Sequence, residues 1–553
     1  MKKNPNTNRE KNTLNFEKLF QVLLNQVTLI EVPQKTKQSS NKFRKGIPGL
    51  TTKNGDPDKT GILRAIQAGE KFLPLKYHEA YIQPLKNNLD YVIHQAPYAI
   101  EDLIGPVYDL SSHVEDLDEN FHWNLSDQTG QFLAVVSNFY RMFLESKRGA
   151  GQKLEITNWL PPLATFRHSM PFPKITPYTF PAHESALLFG GKVGIVVLPA
   201  SYREHPLLWS ALAHEVGGHD ILHIVPGLLS ELERKVSELS FRNGSSSSDN
   251  KLLRQLWRYW IGEAASDICG VLFMGPTYAL AQAIYIAVLN EQLNPVIGQF
   301  FVDAIDELKE DLKNAMELED EEWKKEIKGG LTILANKGNA LKELKGNPVL
   351  NTSPRPPDRS GEISYHPSDI LRLYTMIGAL EATQDMNRQA THDVIQLIED
   401  IIVFCKNSDD VLISGFIQTG SDAWLRVEKT FPLSIMKAAA KKVGQCVVKT
   451  PLASLNNNAM RDLVNWDEEE NIGANEIKNT LLKNSETNDI ISNMGSDAQL
   501  LAGATLAIFE NPDPFFYTTI NERLAEALQK SFDRDEVWGE SATALVRVWS
   551  PPG

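Results

Sequence analysis

Three histidines and two acids lie close together in the stretch ALAHEVGGHDILH, residues 211–223. His214 and Glu215 begin the H-E-x-x-H pattern of zinc hydrolases, but the second histidine, His219, comes one residue later than this pattern requires. Because each residue of an α-helix turns by about 100 degrees, histidines at i and i+5 diverge by about 140 degrees. Binding of one metal ion by both histidines therefore requires a distorted turn between them.

Two glycines, Gly217 and Gly218, lie where this distortion is needed. A π-bulge absorbs one extra residue in a helix and is frequent at functional sites. Each glycine inside a helix costs on the order of 1 kcal/mol relative to alanine. An ordinary structural helix gains nothing from this cost, so the pair favours a metal site with a non-α turn at residues 216–218.

A second metal-binding register is also compatible with the spacing. His219, Asp220 and His223 form H-D-x-x-H, with regular i,i+4 spacing and an acid in the position of the base. Aspartate is shorter than glutamate, which is the usual base in such motifs. This register also leaves Glu215 and the glycine pair unexplained. We favour His214 and His219 as ligands, while the spacing alone leaves His223 open as an alternative to His214.

A carboxylate pair follows in the stretch WIGEAASDICG. Glu263 and Asp267 are four residues apart, so they project from one face of a helix. Glu263 could complete a His2Glu zinc site, which leaves a fourth position for water. Asp267 could accept a hydrogen bond from the outer N–H of a ligating histidine and so orient the ring. Charged groups among apolar neighbours need a partner, and a metal ion supplies one.

These two motifs resemble those of the dipeptidyl peptidase III-like metallopeptidases, relatives of the thermolysin-like zincins. HEVGGH fits the H-E-x-x-G-H signature of that family. GEAASD is partly similar to its second motif, E-E-x-[RK]-[AE]-[ED], with Gly262 in place of the first glutamate and Ala265 in place of the basic residue. The resemblance covers residues 211–268, and it identifies this stretch as similar to the gluzincin-like zinc peptidases.

The resemblance implies a role for each matching residue. His214, His219 and Glu263 would bind Zn²⁺. Glu215 would be the general base, which takes a proton from water and delivers it to the leaving amine. Asp267 would orient a ligating histidine.

Peptide hydrolysis also needs a donor to the oxyanion that forms on the scissile carbonyl. Tyr365 and His366 lie at a loop-to-helix junction in the stretch EISYHPSDILRLY, where side chains can point into a cleft. Alternatively, Ser368 or Asp369 caps this helix and His366 is incidental. We expect Arg372 to pair with Asp369 rather than with a substrate carboxylate.

Composition limits the classes of function. The chain has 553 residues, of which 42% are hydrophobic and 23% charged, as in an ordinary globular protein. Its formal net charge of -14 argues against nucleic acid as a partner. The three cysteines form no C-x-x-C pair, which is typical of reduced thiols in a cytoplasmic protein.

One uncharged stretch, residues 268–290, is long enough to span a membrane. Gly275 and Pro276 interrupt it, and Gln282 lies in the remainder. We therefore expect a buried core helix and no membrane partner. The N-terminal stretch mixes charged with apolar residues, which predicts an amphipathic helix near residues 16–32 rather than a signal peptide.

The order of the predicted elements indicates a mainly α fold with a small β-sheet. Two apolar runs that flank GGK in SALLFGGKVGIVVLP predict a β-hairpin that ends at Pro199, directly before the histidine helix. This organisation is that of a zincin-like α+β catalytic core with a helical remainder. The predicted regions are a polar N-terminal segment with one amphipathic helix (1–60), a helical region (61–150), the zincin-like catalytic core (151–345) and a helical C-terminal region that contributes Tyr365 and His366 (346–553).

The sequence therefore predicts a cytoplasmic zinc metallopeptidase that acts on peptide or protein substrates. Two alternatives stay open at this point. One is a helical scaffold or partner-binding protein with an inert zinc site, which the long helical C-terminal region favours. The other is zinc-dependent hydrolysis of a non-peptide amide.

Overall fold

Helices dominate the described part of the chain in the computed structural model, and strands form only one three-stranded sheet and one two-stranded hairpin. This architecture confirms the predicted mainly α fold with a small β-sheet. The structure describes residues 5–27, 52, 56–70, 73–95, 100, 103–105, 127–144, 160–167, 177–241, 246–293, 348–354, 362–383, 388–418, 424–483, 495–535 and 538. The boundaries predicted at residues 150 and 345 lie outside these ranges, so the division into four regions stays a prediction.

The longer helices pack around a single connected core of buried apolar residues. In chain order they are α1 (Pro5–Gln26), α2 (Lys59–Glu70), α3 (Gln83–Gln95), α4 (Asp127–Leu144), α5 (Ala182–Phe189), α6 (Leu228–Ser237), α7 (Ser247–Tyr259), α8 (Ile261–Met274), α9 (276–293), α10 (Asp369–Ala382), α11 (Arg388–Cys405), α12 (Leu433–Lys449), α13 (Glu468–Leu482), α14 (Asp497–Glu510) and α15 (Pro514–Asp533). Shorter helical segments are Leu75–Tyr77, His78–Ile82, Ala200–Tyr202, Ala453–Leu455 and Met460–Leu463.

The motif histidines lie on a composite helix, here called the motif helix. It begins as a 3-10 helix at Pro206–Ala211, becomes α-helical at Leu212–His214, is a π-helix at Glu215–Asp220 and ends as an α-helix at Ile221–Ile224. Pro206 lies in its first turn, where the missing N–H of proline has no cost.

The small sheet precedes the motif helix. It consists of β1 (Leu163–Arg167), β2 (Tyr178–Phe180) and β3 (Ile195–Pro199) in the order β1-β3-β2. β3 pairs in parallel with β1 and antiparallel with β2, and every residue of β3 is buried. The central strand therefore ends a few residues before the motif helix and fixes where that helix begins.

The predicted hairpin around GGK is wrong in its first arm. Residues 182–189 form α5 rather than a strand, and Gly190 ends this helix in the left-handed conformation with φ 78. The N–H groups of Gly190 and Gly191 donate to carbonyls of the last turn of α5. The glycine pair is thus a helix C-cap and not a hairpin turn. Its second arm is β3, as predicted.

The C-terminal region also contains strands that were not predicted. β4 (Asp410–Gln418) and β5 (Trp424–Pro432) form an antiparallel hairpin, and alternate residues of β4 are buried. The backbone of Ile363 lies beside β4, with its N–H donating to the carbonyl of Phe416 at 2.9 Å. The hairpin therefore supports the segment that leads to Tyr365 and His366.

The uncharged stretch at residues 268–290 is buried and helical, as predicted, but it is divided between two helices rather than forming one. α8 ends at Met274, the chain turns at Gly275, and α9 follows. Most of the side chains of both helices are buried in the core. Within the described residues, every helix is too short or too polar to cross a bilayer.

Candidate metal centre

The π-turn of the motif helix brings the two predicted histidine ligands together. The spacing predicts a non-α turn at residues 216–218, and Glu215–Asp220 has π geometry. Nε2 of His214 and Nε2 of His219 are 3.1 Å apart. The extra residue of the motif is therefore absorbed where the sequence predicts it.

The two motif glycines allow α8 to pack closely against this turn. A Cβ atom added at Gly217 would lie 2.4 Å from the ring of Phe273. One added at Gly218 would lie 2.3 Å from the Cα atom of Ser266. Both neighbours belong to α8, and a separation below about 3 Å would require a shift of one helix. Gly218 is thus needed for the close approach of α8.

α8 contributes the third predicted ligand. Glu263 lies 3.3 Å from Nε2 of His214 through Oε2 and 3.4 Å from Nε2 of His219 through Oε1. One potential ligand atom from each of the three residues lies within 4.8 Å of the others, and this is the one such group among the described residues. His214 is buried, and the other two side chains are partly buried. The group could therefore hold a metal ion.

The chemistry of the three donors fits a cation. Nδ1 of His214 lies 2.9 Å from Oδ1 of Asp267, so in the neutral ring Nδ1 donates and Nε2 carries the lone pair. Oε2 of Glu263 is buried and accepts no well-aligned hydrogen bond. Burial alone would lower the pKa of His214, but contacts with Asp267 and Glu263 raise it to about 10. The two carboxylates beside His214 therefore favour a positive charge at this position.

Asp267 lies behind His214, as predicted, and has a partner that the sequence did not predict. Arg372 donates to Asp267 from Nε at 2.7 Å and from Nη2 at 2.8 Å. The hydroxyl of Tyr278 lies 3.4 Å from Oδ1 of Asp267. Burial alone would raise the pKa of Asp267, but the charge and hydrogen bonds of Arg372, together with His214, hold it well below its ordinary value.

The predicted pair between Arg372 and Asp369 is therefore wrong. Oδ2 of Asp369 instead accepts from the side chain of Asn290 at 2.8 Å and from the backbone N–H of Asn351 at 2.8 Å. Ser368 occupies the N-cap position of α10, but its side chain makes no capping hydrogen bond. Asp369 thus links the start of α10 to α9 through Asn290. Arg372 pairs with Asp267 instead.

The alternative ligand set, in which His223 replaces His214, does not come together in the structure. Nδ1 of His223 lies 2.6 Å from the backbone carbonyl of His219, and its ring stacks on His183 with 4.5 Å between centroids. Asp220 is fully buried and accepts a hydrogen bond from the hydroxyl of Tyr140. Burial raises the pKa of Asp220 to about 6. The structure thus groups His214, and not His223, with His219.

Glu215, the predicted general base, lines a cleft beside the metal ligands. The cleft is lined by His214, Glu215 and His366 among others. Oε2 of Glu215 accepts a hydrogen bond of 2.9 Å from the hydroxyl of Thr179, the middle residue of β2. The small sheet therefore fixes one oxygen of this carboxylate.

The two predicted oxyanion donors differ in their placement. Nε2 of His366 lies 3.1 Å from Oε2 of Glu263, and His366 lines the cleft. Tyr365 stacks on Tyr259 with 5.3 Å between centroids, and its hydroxyl donates to Glu362. Tyr365 is not among the residues that line the cleft. Of the two, only His366 lies at the candidate site.

Sequence reasoning missed two side chains that hold the site in place, Arg372 and Thr179. The signal for Arg372 was present, because an arginine within the apolar stretch DILRLYTMIGAL needs a buried anionic partner. Its partner is 105 residues away in the chain, so no local spacing could identify it. Nothing in the sequence around Thr179 distinguishes it from an ordinary strand residue.

Comparison of the chain with protein-family models, with curated proteins and with solved structures finds no match. The assignment of function therefore depends on the geometry of the candidate centre and on the two motifs that form it.

Proposed function

We propose that this protein is a zinc-dependent peptidase that hydrolyses peptide bonds with Glu215 as the general base. The observation that carries this proposal is the convergence of His214, His219 and Glu263 on one position, with Glu215 in the adjoining cleft. A structural cluster of histidines would not need a carboxylate that faces an open cleft. The resemblance of the two motifs to those of the gluzincin-like peptidases supports the same conclusion.

The donor set favours zinc. Two imidazole nitrogens and one carboxylate are the ligands of catalytic His2Glu sites, which leave one position for water. Carboxylate-rich sites would instead suit magnesium or calcium. A zinc ion held here would supply Lewis-acid chemistry, polarising a carbonyl group and lowering the pKa of a water molecule to about 7.

Residues of the chain itself would carry out the remaining steps of hydrolysis. Glu215 would take the proton of the attacking water and deliver it to the leaving amine, with its carboxylate held by Thr179. Asp267 would keep the ring of His214 in the orientation and tautomer that ligation requires. His366, at the edge of the cleft, would donate to the developing oxyanion.

The cleft is suited to a short segment of peptide. One part of its lining is apolar, with Ala211, Ile286 and Leu289, and another is polar, with Asn351 and Ser364. Apolar groups can take side chains of a substrate, and polar groups can bind its backbone.

The test is the variant Glu215→Gln. The amide is nearly isosteric but cannot accept a proton, so we expect zinc content to be unchanged and peptide cleavage to fall by about 10²- to 10⁴-fold. Zinc is measured by elemental mass spectrometry, and cleavage is measured on a peptide library by mass spectrometry. The control is Glu184→Gln, an exposed glutamate on α5 that should change neither quantity.

Zinc content and peptide cleavage together distinguish the possible functions. Cleavage by Glu215→Gln at the wild-type rate would contradict the role of this residue. A wild-type protein that binds zinc but cleaves no peptide would favour an inert zinc site in a scaffold, or hydrolysis of a non-peptide amide. A wild-type protein that binds no metal would contradict the metal centre itself.

A further inference from the structure

A continuous chain of buried polar groups connects α10 with the metal centre. Nε and Nη2 of Arg372 donate to the two carboxylate oxygens of Asp267 at 2.7 and 2.8 Å. Oδ1 of Asp267 lies 2.9 Å from Nδ1 of His214. The side chain of Asp267 is 0% exposed and that of Arg372 is 13% exposed. The outermost group of this chain, Arg372, comes from the C-terminal region, 105 residues after Asp267.

We infer that Arg372 is a positioning residue of the metal centre, which fixes the carboxylate of Asp267 and thereby orients His214 toward the ion. This inference depends on the metal-binding part of the proposed function and not on peptide hydrolysis. Arg372 lies outside residues 211–268, so the motif resemblance assigns it no role. The inference also gives α10 a function, because this helix completes a site whose ligands all lie elsewhere.

The geometry of the contact supports a positioning role. A carboxylate can rotate about its Cβ–Cγ bond. Besides His214 and Arg372, the hydroxyl of Tyr278 contacts Asp267, at the long distance of 3.4 Å. Two parallel N–H···O bonds from a planar guanidinium fix both oxygens at once. A lysine ammonium would supply charge at one point but would not fix the plane of the carboxylate.

The charges of the centre also favour a cation at this position. Glu215, Glu263 and Asp267 carry three negative charges, and Asp369 lines the same cleft, so one divalent metal ion leaves a negative excess. Among the described residues that line the cleft, Arg372 is the one side chain with a permanent positive charge. A buried centre with an unbalanced charge is unfavourable. Arg372 thus offsets part of this negative excess.

The experiment measures zinc affinity in the full chain by competition with a chromophoric chelator. We expect Arg372→Met to raise the Kd for zinc by about 10- to 100-fold, as for other groups that orient a ligand. The zinc Kd of Arg372→Lys should lie between those of Arg372→Met and the wild type, because lysine keeps the positive charge but cannot donate two parallel hydrogen bonds. The double variant of Arg372→Met with Asp267→Asn should lose no more affinity than Asp267→Asn alone, since Arg372 acts through Asp267.

Arg141→Met is the matched control, because Arg141 also pairs with a buried aspartate, Asp535, away from the metal centre. We expect it to lower the thermal stability of the metal-free protein and to leave the zinc Kd unchanged. The absorption spectrum of the Co²⁺ form should change in Arg372→Lys and not in Arg141→Met.

Three outcomes would overturn the inference. The first is an Arg372→Met protein with wild-type zinc affinity and a stability loss like that of Arg141→Met, which would make the arginine purely structural. The second is full additivity of Arg372→Met and Asp267→Asn, which would mean that Arg372 does not act through Asp267. The third is a wild-type protein that binds no zinc, which would remove the metal centre as well. If Arg372→Met does not fold, the comparison of Arg372→Lys with Arg141→Met decides the question.

Discussion

Gly218→Ala is expected to separate the two helices that hold the metal ligands. The added Cβ would lie 2.3 Å from both Cα and Cβ of Ser266, whereas ordinary contact begins near 3.4 Å. The obstructing Cα atom belongs to the backbone, so no change of rotamer relieves the clash. The motif helix and α8 must therefore move apart by about 1 Å, the difference between these two distances.

This displacement is large on the scale of metal coordination. Ser266 lies on α8 between Glu263 and Asp267, so both carboxylates move with it. Metal–ligand distances are held to within about 0.2 Å, so a shift of this size exceeds the tolerance several-fold. We expect the zinc Kd to rise by about 100-fold or more. Overpacking should also lower the free energy of unfolding by about 1–3 kcal/mol.

Gly262→Ala is the matched control on the same helix. A Cβ atom at Gly262 meets no heavy atom within 4 Å. This change should leave zinc affinity unchanged and raise the free energy of unfolding by about 0.4–1 kcal/mol, because alanine has less conformational entropy to lose. Zinc affinity is measured by chelator competition and stability by urea denaturation of the metal-free proteins. A Gly218→Ala protein with wild-type zinc affinity would refute the close-packing argument.

Two further predictions concern the same centre. His214→Ala should abolish zinc binding and His223→Ala should preserve it, as measured by metal content after dialysis; the reverse result would establish the H-D-x-x-H register. Zinc affinity should rise by about tenfold per pH unit between pH 6.5 and 8.5, because a metal ion must displace the proton that His214, with its pKa raised to about 10, carries in the metal-free protein. Competition titrations at several pH values measure this slope, and a flat profile would show that His214 is already neutral.

The ligands were predictable because local geometry constrains them. An α-helix cannot direct residues at i and i+5 to one point, so His214 and His219 required a distorted turn, which the glycine pair indicated. Glu263 and Asp267 are one helical turn apart, so their shared face followed from spacing alone. In each case the two residues lie in one short segment, so the periodicity of the helix is enough to predict how they lie relative to each other.

The partners that join distant segments were not predictable in this way. Arg372 was expected to pair with Asp369, three residues earlier on the same helix, yet its partner is Asp267 on α8. The side chain of Tyr365 was expected in the cleft, but stacking on Tyr259 of α7 holds it elsewhere. Both outcomes depend on how helices far apart in sequence pack, which no periodicity describes.

The errors in secondary structure have a related cause. Residues 185–189 are apolar enough for a strand, but β3 finds its partners in β1 and β2, and residues 182–189 form a helix. The β4–β5 hairpin lies between long helices, and the alternation of its buried residues is short. Strand pairing depends on segments that are far apart in the sequence, so the local pattern of apolar residues could not predict it.

The π-turn has a consequence for how the motif can change over evolutionary time. Deleting Gly217 would restore the shorter H-E-x-x-H spacing and place both histidines at i,i+4. Since the π-turn absorbs this residue, its loss would return the turn to α geometry and leave the later residues of the motif helix in their present orientation. Asp220, Ile221 and Leu222, which are at most 1% exposed, would keep their buried surroundings. The effect of the extra residue is thus confined to one turn, and exchange between the longer and the shorter motif would need no matching change on α4 or the small sheet.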